Sequence, residues 1–152
     1  MVNNKNGGII MIKKAEDFKR YLENSKLTAF QMEEISNDAN GTVVFRTHVT
    51  IKGQQLPSAL ILDNSIFAMI RVQISPRALT TENEVALAKI LNAENAKYKP
   101  FKLFLNENGD LMLDVCMINK ADEIDPQAIF AMYNIVINYL ETSYRNIMKA
   151  IW

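Results

Sequence analysis

Residues 92–117 constrain this chain more than any other stretch: NAENAKYKPFKLFLNENGDLMLDVCM. They begin as the end of a helix, stop at Pro100, and continue as two alternating segments around Asn106-Glu107-Asn108-Gly109-Asp110. Pro cannot continue a helix, and Asn and Gly tolerate the positive φ that a tight turn needs. A helix must therefore hand over directly to a β-hairpin. In that hairpin Phe101, Leu103 and Leu105 face one way, together with Leu111, Leu113, Val115 and Met117. Lys102, Phe104, Met112, Asp114 and Cys116 face the other way, because strand side chains alternate with period 2.

The same alternation recurs upstream. Residues 42–51 place Val43, Phe45, Thr47, Val49 and Ile51 on one face and Val44, Arg46, His48 and Thr50 on the other. Residues 56–62 and 66–74 read as two further strands about Asp63-Asn64-Ser65. In the second of these, Ile66, Ala68, Ile70, Val72 and Ile74 make an aliphatic face opposite Phe67, Met69, Arg71 and Gln73. A weaker strand is expected over 29–35, after an amphipathic helix over 14–24 that aligns Phe18, Tyr21 and Leu22.

Ser75-Pro76 ends the strand run, and Thr81 with Glu84 matches a capping box opening a helix that runs to about Lys97. The first half of this helix (Val85, Ala86, Leu87, Ala88, Ile90, Leu91) is apolar nearly all round, which predicts burial on every side. One sheet face covers only one side, so the last helix or a second copy of the chain has to cover the other. Asp125-Pro126 opens the last helix as N-cap and first-turn residue. Its stripe Ile129, Tyr133, Val136, Leu140, Tyr144, Ile147 and Ile151 is widened by Phe130, Met132, Ile135, Ile137 and Tyr139, beyond what one sheet face needs.

The expected fold is α+β, in the order α-β-β-β-β-α-β-β-α, an antiparallel sheet with helices packed on it. Residues 11–152 form one domain. Residues 1–10 are polar and Gly/Asn-rich, and are expected to be a disordered leader or a mis-assigned start. In the second case Asn-Gly-Gly-Ile-Ile encodes a ribosome-binding site of an AT-rich bacterial gene, and Met11 is the natural start.

Charge and composition then narrow the function. The formal net charge is zero. Residues 1–76 carry nine Lys/Arg against seven Asp/Glu and residues 77–152 eight against ten, so neither half has the basic footprint of a nucleic-acid binder. No apolar run approaches the ~20 residues of a bilayer span, and no secretory signal is visible, so a cytoplasmic location is expected. With one Cys and one His there is no disulfide framework and no zinc ligand set. Neither cofactor nor metal is expected.

Single residues resist catalytic readings. Cys116 reads as a small buried or half-buried hydrophobe rather than a nucleophile served by His48, and His48 as a surface or rim residue. Residues 106–110 lack the ligand spacing of a calcium loop and read as a hairpin turn. Asp122, Glu123 and Asp125 read as dipole-favoured charge before a helix, and Glu33 and Glu34 point to opposite faces. Asn92 and Asn95, three apart near a helix end, either contact a partner or bond backbone where helix turns to strand.

These residues also carry a resemblance. Leu91-Asn92-x-x-Asn95, Tyr98-x-x-Phe101-Lys102 and Leu105-x-x-x-Gly109-Asp110-Leu111-x-Leu113 resemble the pattern of the YbjN family. So do Leu62-Asp63-Asn64, Ile70-Arg71-Val72 and the long final helix, so that the likeness covers residues 14–152. It implies a type III secretion chaperone-like fold. Chaperones of that fold are small, acidic homodimers that bind partially unfolded proteins; this chain departs from them in being neutral.

The expectation is a non-enzymatic, chaperone-like protein-binding module acting as a homodimer. The alternative is a signalling or stress-response regulator that binds a folded partner. The candidate partner or dimer surface is Phe67, Met69, Arg71, Phe104, Met112, Leu87 and Ile90, since Met and aromatic side chains suit adaptable contacts. Addition of a partner peptide to a sheet edge is a further mode.

Overall fold

The structure, a computed structural model, describes residues 11–120 and 122–152. The expected leader over 1–10, and the choice between Met1 and Met11, lie outside the described residues. The elements follow the expected order: α1 (Lys13–Asn24), β1 (Gln31–Glu34), β2 (Val43–Ile51), β3 (Gln54–Leu62), β4 (Phe67–Ser75), α2 (Glu84–Lys97), β5 (Phe101–Leu105), β6 (Leu111–Ile118) and α3 (Pro126–Ile151). The strands form a six-stranded sheet in the order β1-β2-β3-β4-β6-β5. Every neighbouring pair is antiparallel.

Register explains the core. Phe45, Leu60, Ile70, Val115 and Phe101 are successive cross-strand partners over five strands, and all are buried. Because side chains alternate, every second residue on either side of this row joins the same dry face: Val43, Val49 and Ile51 on β2, Ala68, Val72 and Ile74 on β4, Leu111 and Leu113 on β6. The helices cover this face. Phe18 of α1 meets Phe45 edge-on at 4.8 Å and stacks near Phe130 of α3 at 6.2 Å. Tyr139 of α3 lies 4.4 Å from the ring of Phe101. Burial of aromatic and aliphatic area at about 25 cal/mol per Å² is what holds the two layers together.

Turns close the strands as their residues dictate. Lys52 and Gly53, with φ of 49° and 78°, bridge β2 and β3. Two successive positive φ angles match the right-handed twist of a hairpin.

Several local expectations are corrected. Thr81 and Glu84 do not form the capping box. The position before α2 is Asn83, which is buried and turned to other work: its Nδ2 donates to the carbonyls of Ala78 (2.7 Å) and Ile151 (3.0 Å). Its Oδ1 accepts from the amide of Thr80 at 2.8 Å. One side chain thus ties the entry of α2 to the last turn of α3. Helix α2 is not buried on every side within one chain; Leu87 and Leu91 face the core, while Val85 is 67% exposed. Ile66 precedes β4 and is exposed, so the aliphatic face begins at Ala68.

Lys14 was not singled out by periodicity, yet it is 1% exposed. Its ammonium donates to the carbonyl oxygens of Ser65 (2.6 Å) and Phe67 (2.9 Å), pinning α1 to the β3–β4 turn. Burial pushes its pKa below the usual lysine range, against a smaller opposing pull from Asp63.

Asn83→Ala leaves two carbonyls and one amide without their partner. It is expected to cost about 1–3 kcal/mol, which for a chain of this size lowers Tm by roughly 2–4 °C per kcal/mol. Calorimetry checks this, and an unchanged Tm would mean that the α2–α3 tie carries no stability.

Candidate functional site

The second face of the sheet carries the candidate residues. Alternation and register place on it Arg46 and His48 of β2, Pro57, Ala59 and Ile61 of β3, Phe67, Met69, Arg71 and Gln73 of β4, Met112, Asp114, Cys116 and Ile118 of β6, and Lys102 and Phe104 of β5. Five of the seven predicted surface residues (Phe67, Met69, Arg71, Phe104 and Met112) therefore share this face, but Met112 is buried at 9% exposure, which corrects its reading as an open contact residue. The other two, Leu87 and Ile90, belong to α2 on the helical layer. Leu87 is fully buried, so it is a core residue and not a contact surface; Ile90 is half-buried.

The face has two distinct ends. At one end Phe67 (42% exposed), Met69, Cys116 and Ile118 (74% exposed) form an apolar patch. Cross-strand pairs Phe67–Ile118 and Met69–Cys116 hold them side by side. Ile118 lies one alternation beyond Cys116, and continuing the period to the end of the strand would have found it. Cys116 is exposed, which corrects its reading as a buried or half-buried hydrophobe.

The centre of the face is polar and ordered. Arg71 and Asp114 are direct cross-strand partners. The Arg71 Nε donates to Asp114 Oδ1 at 2.8 Å and Nη2 to Oδ2 at 2.9 Å, a bidentate ion pair. The pair is lopsided: the Asp114 side chain is 4% exposed and that of Arg71 41%. Hydrogen bonding to Asp114 raises the Arg71 pKa, with burial opposing it. The Arg71 guanidinium lies 6.0 Å from the Phe104 ring centroid and Lys102 Nζ 5.2 Å, both within cation–π range. Beyond this centre, a depression of about 500 Å³ is lined by residues that include Gln31, Arg46, His48, Pro57, Ala59, Arg71, Gln73 and Met112.

His48 and Cys116 do not meet. They lie three strands apart on rows four residues apart, a separation of roughly 20 Å at standard sheet spacings. Glu33 is committed to Arg46, at 2.9 Å. Asp125 caps α3 by accepting from the amide of Ala128 at 3.1 Å. Among the described residues, no three His, Cys, Asp or Glu side chains converge on a common point. Among the same residues, no helix is long and apolar enough to cross a membrane.

The hairpin turn is built as its residues imply. Asn106 Oδ1 accepts from the amides of Asn108 (3.0 Å) and Asp110 (2.9 Å), and Gly109 has φ 77°. The turn docks on the loop before α2. Leu79 N donates to Gly109 O at 3.0 Å, and the Asp110 carboxylate accepts from the Arg77 amide at 2.8 Å. That amide bond holds the Asp110 carboxyl below its usual range.

Of the two asparagines, Asn95 bonds backbone. Its Nδ2 donates to Leu103 O (3.0 Å) and its Oδ1 accepts from Leu103 N (2.7 Å), imitating a neighbouring strand at the middle of β5. Asn92 is exposed. The two sheet edges consequently differ. Edge β5 has its central residue occupied by a side chain. Edge β1 does not: Ile35 N bonds to Thr42 O, so odd-numbered residues of β1 pair inward. The main-chain groups of Met32 and Glu34 therefore point outward.

Compared with models of known protein families and with curated proteins, the chain matches none.

Arg71→Gln strands a buried carboxylate, whereas Asp114→Asn leaves a cation that water still reaches. The first is expected to cost roughly 1–3 kcal/mol, discounted from a fully buried pair because Arg71 is partly solvated, and the second less. Urea unfolding of both variants checks the order. Asn95→Ala removes two bonds of about 1 kcal/mol each, while Asn92→Ala stays within about 0.5 kcal/mol. Equal losses at the two positions would contradict the assignment.

Proposed function

We propose that this chain is a non-enzymatic protein-binding module with chaperone-like action, related to the YbjN family and working as a homodimer in the bacterial cytoplasm. One observation carries the reading: the helices pack on one face of the sheet, leaving Phe67, Met69, Cys116 and Ile118 together on the other. An exposed patch of Met, aromatic and aliphatic side chains beside a fixed ion pair suits contact with another polypeptide. The apolar side of such a patch gives adaptable affinity, and the bidentate pair gives it a defined polar border.

The homodimer is proposed through the outer face of α2. Val85 stands out from that face, with the exposed Ala88 and Lys89 one turn further along it. A neighbouring copy packed there would complete the burial that the sequence of α2 calls for.

Light scattering at micromolar concentration is expected to give twice the 17.3 kDa chain mass. Val85→Glu is expected to shift it to one chain. A monomeric wild type rejects the dimer. For binding, the wild type is expected to delay aggregation of a chemically unfolded model protein, and the double variant Phe67→Glu, Ile118→Glu is expected to lose that effect while melting like the wild type. Capture of one folded partner, with no effect on unfolded protein, would replace the chaperone-like reading with that of a regulator.

A further inference from the structure

The lining of the depression on the open face includes Arg46, His48 and Arg71 and contains no Asp or Glu. Pro57, Ala59, Met112, Gln31 and Gln73 also line it, with the Gln73 amide donating to Asp110 at 3.5 Å. Both guanidinium groups are held from outside the depression. Glu33 fixes Arg46 through Nε, and Asp114 fixes Arg71 through Nε and Nη2. Those bonds use one edge of each planar fork. The remaining N–H groups, Nη1 of Arg71 and both Nη of Arg46, are left to serve whatever enters. The bidentate bond to Asp114 orients Arg71 and lowers the entropy it would lose on binding an anion, while the exposed, single-bonded Glu33 orients Arg46 less.

Charge agrees with geometry. Around Asp114 stand two cations, Arg71 and Lys102, the latter its cross-strand partner on β5. The Glu33–Arg46 pair is neutral, and His48 adds a further donor. Asp110, 3.5 Å from the Gln73 amide, offsets the excess cation at the edge of the face, so the positive character lies in the lining itself, where Arg46 and Arg71 stand without a carboxylate among them.

We propose that this depression receives an acidic side chain, Glu or Asp, of a polypeptide partner. The inference rests on the protein-binding reading of the same face and adds the chemistry of what is bound. Size and shape favour a side chain over a free metabolite. The volume of about 500 Å³ lies within the range of small-molecule sites, but the depression is open to solvent over the sheet and cannot enclose most of a ligand's surface. A segment that lays an apolar residue on Phe67 and Ile118 would carry its carboxylate a few residues away, across the row of Ala59.

The test is a titration of the ¹⁵N-labelled full chain with N-acetylated, C-amidated tetraglutamate, followed by NMR. Expected are shifts confined to the Nε–H signals of Arg46 and Arg71 and to amides of Gln31, His48 and Gln73. The affinity is expected to fall as salt is raised. Tetralysine of the same blocked form is expected to shift none of them. Arg71→Gln would strand Asp114, so the decisive variants are the exposed Arg46→Gln and His48→Gln, each expected to weaken binding roughly threefold. Absence of shifts at millimolar tetraglutamate, or shifts indifferent to both variants, overturns the proposal. Equal affinity for free glutarate or inorganic phosphate overturns the assignment to a polypeptide. The aggregation assay with Phe67→Glu, Ile118→Glu separates the two readings: if its result holds while tetraglutamate fails, the acidic-ligand site falls alone.

Discussion

Phe45, Leu60, Ile70, Val115 and Phe101 lie side by side across five strands, and the helical layer is shaped to keep that row dry. A one-residue slip in any of these pairings would turn its strand over and exchange its inward and outward residues. The ring of Phe18 from α1 and that of Tyr139 from α3 press on the two ends of the row. Once that face is fixed as the dry one, the opposite face is fixed as well. Arg71 and Asp114 must meet there, because they flank Ile70 and Val115 in sequence and in register. The polar centre of the open face is thus a by-product of the apolar centre of the closed one.

Because alternation is a property of short stretches, the strands and the two faces were legible in the sequence. Val43–Ile51, Phe101–Leu105 and Leu111–Ile118 each declare their inward residues, and five of the candidate surface residues fell together for that reason. The helix over 14–24 and the Asp125 cap were equally local. What could not be read were interactions that join distant segments. In the sequence Asn83 is one polar residue among several before a helix, and the local Thr81–Glu84 spacing competes with it. Its real partners include a carbonyl at Ile151, brought near only when α3 folds back. Lys14 gave no sign of burial, since its partners are backbone carbonyls at the far β3–β4 turn and leave no mark in side-chain pattern. The depression near Arg46 was illegible for the same reason: its walls come from five places in the chain.

In helix α2 apolar composition and burial part company. Its first half is apolar all round, yet only Leu87, Leu91 and the later Glu94 are buried within the chain. Alanine contributes much of that apolar count, and exposing a methyl group costs far less than exposing a leucine side chain. Glu94 shows the converse. It is buried because Tyr139 donates to it at 2.9 Å and Lys97 reaches its other oxygen at 3.3 Å, a set of partners drawn from both helices. Burial, together with that bond to Glu94, raises the Tyr139 pKa, so the hydroxyl keeps its proton and remains a donor.

The bond pair between Asn95 and Leu103 has a consequence for how copies of this chain can meet. A sheet with two open edges can add neighbours head to tail without limit, β1 of one molecule on β5 of the next, and grow into a filament. Here the middle of β5 is already satisfied by a side-chain amide, which removes the central pair of bonds from that heterologous step. By the parity of the β5–β6 pairing, Phe101 and Leu105 still turn main-chain groups outward at the two ends of β5, so a neighbour there would be held by its ends alone. A single asparagine thereby weakens β5 as a template and leaves β1 the fuller edge for main-chain pairing.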